Sequence, residues 1–306
     1  MTLEGIRSEA GVNGSSSAAH HLTSGGYAAP TPDRTTGDIR VSVVIPARNE
    51  EKSLPDVLAR MPAWVHEVIL VDGLSVDDTS RVAKLCLPAI RIVEQTGRGK
   101  GNALREGFVH CTGDIVVALD ADGSMDPGEI IRYVELLESG YDYVKGSRML
   151  PGGSSADLTR MRRFGNWMFR TLTNVLTGSR YSDLCYGYFA FRRGTVDTLT
   201  LAADGFEIET EINIRAHKAG FRIAEVPSAE TERQHGSSQL NAFRDGLRIL
   251  ATILRTSLGS RRELIDSASY ERAISMRLDS VTSVPAAVPV RQRSGKIDSD
   301  STTSIE

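Results

Sequence analysis

The chain has 306 residues, of which 40% are hydrophobic and 25% charged, so it can bury a core and is not disordered throughout. A formal net charge of −3 argues against a protein that binds nucleic acid through its overall charge. No run of about 18 apolar residues occurs, so we expect no transmembrane helix. The three cysteines lack metal-site spacing and are expected to be reduced, structural thiols.

The two ends of the chain differ in composition from its middle. Residues 1–38 and 258–306 are rich in small and polar residues. The first segment lacks helix or strand periodicity, and the second allows only a weak helix around Arg261–Leu278. We therefore predict a disordered leader, a folded domain over residues 39–257 and a largely disordered tail. The N-terminus shows no basic region followed by an apolar run, which favours a cytoplasmic protein over a secreted one.

Between the two ends, strand patterns alternate with helix patterns. Short runs rich in apolar and β-branched residues predict strands at Arg40–Pro46, Glu67–Gly73, Ala89–Gln95, Asp114–Asp122 and Tyr141–Arg148. Helical spacing predicts helices at Glu50–Met61, Asp77–Leu87, Gly99–His110 and Pro127–Ser139. This alternation predicts an α/β fold whose mostly parallel sheet carries helices on both faces. Ligands of such sheets bind beyond the carboxyl ends of the strands.

Carboxylates stand at those predicted strand ends. Asp72 ends the second strand, and Asp120 and Asp122 end the fourth, where residues i and i+2 share one face. Unpaired buried carboxylates are costly, and Mg²⁺ or Mn²⁺ is the simplest compensation. Helix capping is the alternative explanation for acidic residues near a strand end, and it is favoured for Asp77 or Asp78.

A glycine-rich segment, GRGKGNA at residues 97–103, precedes or opens the third predicted helix. Open backbone and two cations at a helix start favour an anion, most plausibly a phosphate. A purely structural turn is the alternative. The segment is not a Walker loop, and PARNEE stands after the first strand in place of the Rossmann glycine pattern.

Five motifs in order, VSVVIPARNEE, VDGLSVDDT, GRGKGNAL, ALDADG and KGSR, resemble the family 2 inverting glycosyltransferases of GT-A fold. The resemblance runs from about residue 41 to residue 254. GFEIETEI and RQHGSSQLNAFRDG are similar to the subgroup that transfers sugars to dolichyl or polyprenyl phosphate. The resemblance to the GT-A fold implies a Rossmann-like nucleotide-binding half and an acceptor-side half.

The resemblance also implies an activity, namely metal-dependent transfer of one hexose from a GDP-mannose or UDP-glucose type donor to a polyprenyl phosphate. The cofactor would be Mg²⁺ or Mn²⁺. The same donor chemistry on a soluble small-molecule or glycoside acceptor is the alternative. The Q-x-x-R-W string of processive relatives is absent, which favours one sugar per acceptor.

Carried over by motif, the donor-binding residues would be Pro46, Ala47, Glu50, Asp72, Lys100, Asp120, Ala121 and Arg148. Asp120 and Asp122 would hold the metal, with Asp122 the more direct ligand. Ser124 stands where many relatives carry Gln, so His235 is a candidate third ligand, a surface histidine being the alternative. Gly73 and Leu74 interrupt the usual V-D-D-G-S pattern, which leaves the nucleotide base open.

On the acceptor side, Asp183 and Glu209 join Asp122 as candidate catalytic residues. Either could act as a general base on a hydroxyl acceptor, but an anionic phosphate needs none. The alternatives are that either residue positions a sugar hydroxyl or pairs with an arginine. We favour a positioning role for Glu209. Helical spacing would put Glu207 and Glu211 together on a face that we expect to be exposed to solvent.

Two arginine-flanked apolar stretches, at residues 160–170 and 240–254, have helical character. Such helices can lie in a membrane interface, which predicts peripheral contact at the inner face of a membrane. The alternative is that each apolar stripe packs on the catalytic core.

Overall fold

A computed structural model describes residues 39–233, 235–236 and 240–259. The predicted leader, and the predicted tail beyond residue 259, lie outside the described residues. Strands lie at Val41–Ala47 (β1), Glu67–Asp72 (β2), Arg91–Glu94 (β3), Ile115–Ala118 (β4), Tyr143–Ser147 (β5), Ser154–Ser155 (β6), Phe189–Arg192 (β7), Ile223–Pro227 (β8) and Ala229–Glu230 (β9). Helices lie at Leu54–Ala59 (α1), Thr79–Cys86 (α2), Lys100–His110 (α3), Ile130–Glu138 (α4), Arg160–Thr177 (α5), Arg193–Val196 (α6), Ile208–Ala219 (α7) and Ala242–Leu258 (α8).

The main sheet has the strand order β3-β2-β1-β4-β7-β5-β8. Every neighbouring pair is parallel except those of β7, which runs antiparallel to both β4 and β5. The predicted α/β fold with a mostly parallel sheet is therefore confirmed. The sequence did not indicate that a strand would enter between β4 and β5.

Helices cover both faces of this sheet, as predicted. The side chains of Val43, Ile45 and Val117 belong to one buried apolar cluster, which α1, α2 and α4 complete. Val44 and Val116 belong to a second cluster with residues of α3 and α7. Strands buried on both sides read as continuous apolar runs, which explains why β1 and β4 show no alternation with polar residues.

A third apolar cluster lies away from the sheet and joins α5, α7 and α8. It contains Phe169, Ile214, Ile249 and Ile253, and it attaches α5 and α8 to the rest of the domain. In the part of the chain that the structure describes, no helix is both long and apolar enough to cross a bilayer.

The strand directions bring distant segments to one edge of the sheet. The parallel strands β1, β2 and β4 all end there. Because β7 starts at Phe189 opposite Ala118, the segment before β7 arrives at the same edge. The prediction that Asp120 and Asp122 lie on β4 is wrong, since β4 ends at Ala118 and both residues follow it in a turn.

Candidate active site

Two adjoining cavities open at this edge. The first, of about 430 Å³, lies over the ends of β1 and β2 and the start of α3, and is called the polar cleft below. The second, of about 370 Å³, lies between α5 and α8 and is called the apolar groove. The residues that line both are Lys100, Asp120, Asp122, Phe206 and Arg233.

The structure brings most of the predicted site residues to these cavities. The polar cleft is lined by Pro46, Ala47, Glu50, Lys100, Asp120, Ala121 and Asp122. Ser124, Arg148 and Glu209 line the apolar groove. Asp72, Asp183 and His235 line neither cavity. The Asp72 carboxylate instead accepts hydrogen bonds from the Ser75 backbone N–H (2.9 Å) and the Ser80 hydroxyl (2.6 Å), so its contact with a base stays a prediction.

Lys100 forms the centre of the wall between the cavities. Its Nζ lies 2.6 Å from Asp120 Oδ1 and 2.7 Å from Glu209 Oε1. Burial works to lower the pKa of Lys100, but the two carboxylates outweigh it and hold this pKa above its ordinary value. Burial raises the pKa of Glu209, with Lys100 opposing the shift and Asp120 adding to it. A Cβ at Gly187 would come within 2.6 Å of Lys100 Nζ, so a larger residue there would displace the Lys100 ammonium from its present position.

Asp122 is held by a second cation. Its Oδ2 accepts a hydrogen bond from Arg233 Nη2 at 2.6 Å, and its Oδ1 accepts from the Ser124 backbone N–H (3.0 Å) and hydroxyl (2.7 Å). Arg233 also lies 3.4 Å from Glu50 Oε1. Burial raises the pKa of Glu50, while Ser53 and Arg233 oppose the shift.

These contacts correct the premise that Asp120 and Asp122 are unpaired. Lys100 and Arg233 neutralise them in the folded chain. Arg233 was not picked out from the sequence as a site residue, although it begins the RQHGSS string that carried part of the resemblance.

The donor set fits a hard divalent cation only in part. Asp120 and Asp122 present carboxylate oxygens at one cavity wall, as Mg²⁺ or Mn²⁺ requires when phosphates and water fill the remaining positions. Within residues 39–233, 235–236 and 240–259, no group of three or more His, Cys, Asp or Glu side chains is arranged around one point. The Ser124 hydroxyl donates to Asp122, and His235 is exposed, so the third ligand stays a prediction.

Arg148 and Asp183 form a buried pair behind the apolar groove. Arg148 Nε and Nη2 donate to the two Asp183 oxygens at 2.7 and 3.0 Å, and its guanidinium lies 4.7 Å from the centre of the Tyr186 ring. Burial works to raise the pKa of Asp183, but Arg148 outweighs it and keeps the pKa below the ordinary value. A general-base role for Asp183 does not fit this geometry, because both oxygens are occupied by Arg148 away from the cavities.

Glu211 on α7 is buried, although the sequence predicted that it would be exposed. It is fully buried, with Oε1 accepting from Arg215 Nη2 at 2.7 Å and Oε2 accepting from the Ala203 backbone N–H at 2.7 Å. The prediction of a solvent-facing Glu207–Glu211 pair is therefore wrong for Glu211. Helix α7 is covered by the sheet on one side and by α5 and α8 on the other, so polar residues on it are buried and paired internally.

Comparison with known families adds to this geometry. A family model described as "Glycosyl transferase family 2" matches residues 42–200. An undecaprenyl-phosphate mannosyltransferase from Micrococcus luteus is 31% identical over 237 residues, which cover 74% of this chain and 97% of that protein. A dolichyl-phosphate hexose transferase from Haloferax volcanii is 30% identical and covers 73% of this chain and 96% of its own. Glycosyltransferase AglJ of the same organism is 34% identical, covering 71% of this chain and 70% of its own.

Solved structures share the fold. Glucosyl-3-phosphoglycerate synthase from Mycobacterium tuberculosis, crystallised with Mn²⁺, UDP-glucose and phosphoglyceric acid, aligns with a TM-score of 0.62. The alignment covers 80% of this chain and 88% of that chain at 24% identity. This likeness confirms the GT-A fold expected from the motifs.

Proposed function

Because this chain belongs to glycosyl transferase family 2 and is a glycosyltransferase, we propose that it transfers one sugar from a nucleotide-sugar to the phosphate of a polyprenyl phosphate. One observation carries this proposal. The polar cleft and the apolar groove share a wall made of Lys100, Asp120 and Asp122, so a donor in the first would meet a lipid phosphate in the second. Two of the relatives carry undecaprenyl-phosphate or dolichyl-phosphate in their names.

The donor would occupy the polar cleft. Pro46, Ala47 and Glu50 at the end of β1 would contact the nucleoside, beside Leu74 from the loop after β2. GDP-mannose and UDP-glucose are the donor types to test. Asp120 and Asp122 would hold Mg²⁺ or Mn²⁺, which supplies positive charge against the leaving diphosphate. The Mn²⁺ and UDP-glucose in the mycobacterial synthase support this choice of groups.

The acceptor phosphate would lie beside Arg148, which lines the apolar groove and whose guanidinium is also paired with Asp183 and Glu230. Phe164, Met168 and Phe243 line the same groove and suit an isoprenoid chain. A phosphate oxygen would attack the anomeric carbon from the face opposite the diphosphate, which leaves with the electron pair of the broken C–O bond. A phosphate is already anionic, so this step needs no general base, in keeping with the paired state of Asp183.

Peripheral contact with a membrane belongs to the same proposal. Phe164 and Phe243 line the groove and are 62% and 79% exposed, and Trp167 of α5 is 52% exposed. Large exposed apolar side chains beside arginines are typical of helices that lie in a lipid interface. An acceptor held in a bilayer would therefore reach the groove without leaving its membrane.

The test is an assay with purified full-length protein, Mn²⁺, a radiolabelled nucleotide-sugar, and undecaprenyl phosphate in detergent or vesicles. We expect label in the organic phase, and none with an Asp122→Asn variant. Label on a soluble acceptor such as phosphoglycerate, with none on the lipid, would favour the soluble-acceptor alternative. No transfer to either, with both donor types supplied, would contradict the proposal.

A further inference from the structure

Helix α8 presents different residues to the two cavities. Arg244, Asp245 and Arg248 line the polar cleft. Ala242, Phe243, Gly246 and Ile249 line the apolar groove. One helix thus has a charged face on the donor side and an apolar face on the acceptor side. The apolar face fits the proposed acceptor, whereas the charged face has no role in the function proposed above.

The charge of the polar cleft points to an anionic ligand. Six cationic side chains line it, namely Arg48, Arg98, Lys100, Arg233, Arg244 and Arg248. Four carboxylates oppose them, namely Glu50, Asp120, Asp122 and Asp245. This surplus of positive charge among the lining side chains suits an anionic group such as a diphosphate diester, which carries two negative charges. Lys100 and Arg233 are engaged by carboxylates at 2.7 Å or less, so the surplus resides on the other four arginines.

A buried carboxylate lies beside the arginines of α8. Asp245 is 1% exposed, and its Oδ2 accepts a hydrogen bond from the Asn241 backbone N–H at 2.7 Å. Asn241 in turn caps the helix by accepting from the Arg244 backbone N–H at 2.9 Å. The other oxygen, Asp245 Oδ1, lies 3.5 Å from Arg244 Nε and 3.8 Å from Arg248 Nη1.

A single oxygen of Asp245 thus faces two guanidinium groups, each with several N–H donors. Both arginine side chains remain largely exposed, at 66% and 53%, toward the cleft. Guanidinium groups bind phosphate oxygens through paired N–H donors. A carboxylate on the opposite side of a guanidinium favours the orientation in which those donors point at the phosphate.

We infer that Arg244 and Arg248 bind the diphosphate of the nucleotide-sugar, so that α8 is part of the donor site as well as of the acceptor groove. This inference rests on the proposed function. It assigns a donor-binding role to the C-terminal helix, far in sequence from the strand-end motifs. The ligand group is the diphosphate, whichever base it carries.

The test uses Arg244→Gln, Arg248→Gln and the double variant, with Arg255→Gln as the matched control. Arg255 lies on the same helix and is exposed, but it lines neither cavity. Calorimetry would measure the dissociation constants of UDP-glucose, GDP-mannose and the unphosphorylated nucleosides. We expect each single variant to weaken nucleotide-sugar binding by about fivefold, and the double variant by more. Arg255→Gln should change nothing, and nucleoside binding should be the same in all proteins.

Three outcomes would count against the inference. Double-variant binding equal to that of the wild type would overturn it while leaving the proposed function intact. An unchanged donor constant with a raised KM for the lipid acceptor would assign the arginines to the acceptor phosphate instead. A wild-type protein that binds no nucleotide-sugar, with or without Mn²⁺, would overturn the proposed function and this inference with it.

Discussion

Asp122 is the residue on which the proposed chemistry depends most, because its carboxylate lies on the shared cavity wall between Arg233 and Ser124. Asp122→Asn keeps the shape of the side chain but removes its charge. We expect kcat/KM to fall by at least about 100-fold, since charge stabilisation at the leaving group is lost. Steady-state rates over a Mn²⁺ titration would measure this. Asp56→Asn, exposed on α1, should keep full activity, and an equal loss in both variants would contradict the assignment.

Leu74 carries backbone strain. Its φ is +60°, in the left-handed region, where a non-glycine residue costs roughly 1–2 kcal/mol. We expect Leu74→Gly to raise the free energy of unfolding by about 1 kcal/mol, because relief of the strain outweighs the burial lost from a side chain that is already 48% exposed. Urea denaturation would measure the change. Leu85→Gly, in an exposed position of α2, should lower stability by about 1 kcal/mol instead.

If both glycine variants lower stability, the strain at Leu74 is offset by contacts of its side chain. Leu74 lines the polar cleft, so the same variant would also report on recognition of the nucleoside. Strained backbone of this kind is often found at ligand sites.

Asp183 provides a prediction about pH. Its folded-state pKa is lowered, because Arg148 outweighs the effect of burial. The stability that this pair contributes is therefore fully present above the ordinary aspartate pKa of about 3.9 and is lost as pH falls through the lowered value. Asp183→Asn should lower the free energy of unfolding by about 3 kcal/mol, equally from pH 6 to pH 8. The difference from the wild type should shrink only below about pH 4.

Urea unfolding at several pH values would follow that difference. Asp78→Asn is the matched control, since Asp78 forms an exposed, solvent-screened pair with Arg81 and its loss should leave the free energy of unfolding nearly unchanged. If the difference in free energy of unfolding between Asp183→Asn and the wild type already changes between pH 8 and pH 6, another group titrates with Asp183.

Among the helices, α5 and α8 pack together on α7 and form the two sides of the apolar groove. Phe164 and Phe243 protrude from these helices beside the groove. We expect Phe164→Ser combined with Phe243→Ser to weaken binding to vesicles of anionic lipid by about tenfold or more, because apolar area no longer enters the interface. Vesicle sedimentation would measure this. Leu85→Ser with Val109→Ser removes equally exposed side chains from α2 and α3 and should leave vesicle binding unchanged.

The same two helices limit what the sequence could predict. Their amphipathic spacing indicated helices, and the structure has α5 and α8 where the stretches were noted. Spacing alone could not decide which of their apolar side chains pack on the core and which stay exposed. Phe169 and Ile249 pack inward, whereas Phe164 and Phe243 remain exposed. Which apolar side chains of these helices are buried depends on packing neighbours that are distant in sequence.

For the whole molecule, strong local patterns gave reliable predictions. All five strands and four helices expected in the first half are present, and the largest errors are at ends, as where β4 stops at Ala118. β7 was missed although β3 and β4 are equally short, because its sequence FAFR lacks the β-branched residues that mark those two strands. Within the site, the strand-end carboxylates and the glycine-rich segment were found from type and position.

Their partners could not be found in this way. The contact of Arg233 with Asp122 spans 111 residues, and that of Lys100 with Glu209 spans 109. No local rule predicts which cation will neutralise a carboxylate across such distances. Asp120 and Asp122 were therefore expected to be unpaired, whereas the chain itself supplies a cation for each.

The position of β7 has a consequence for how the sheet is assembled. Among the described strands, β7 alone joins β3-β2-β1-β4 by hydrogen bonds to β5-β8. During synthesis, β4 and β5 both leave the ribosome before Phe189–Arg192, so each has an unpaired edge until this short strand is made. An apolar strand with an open edge can pair with another chain. Four residues thus close the ladder between the two halves and remove two edges at which nascent chains could associate.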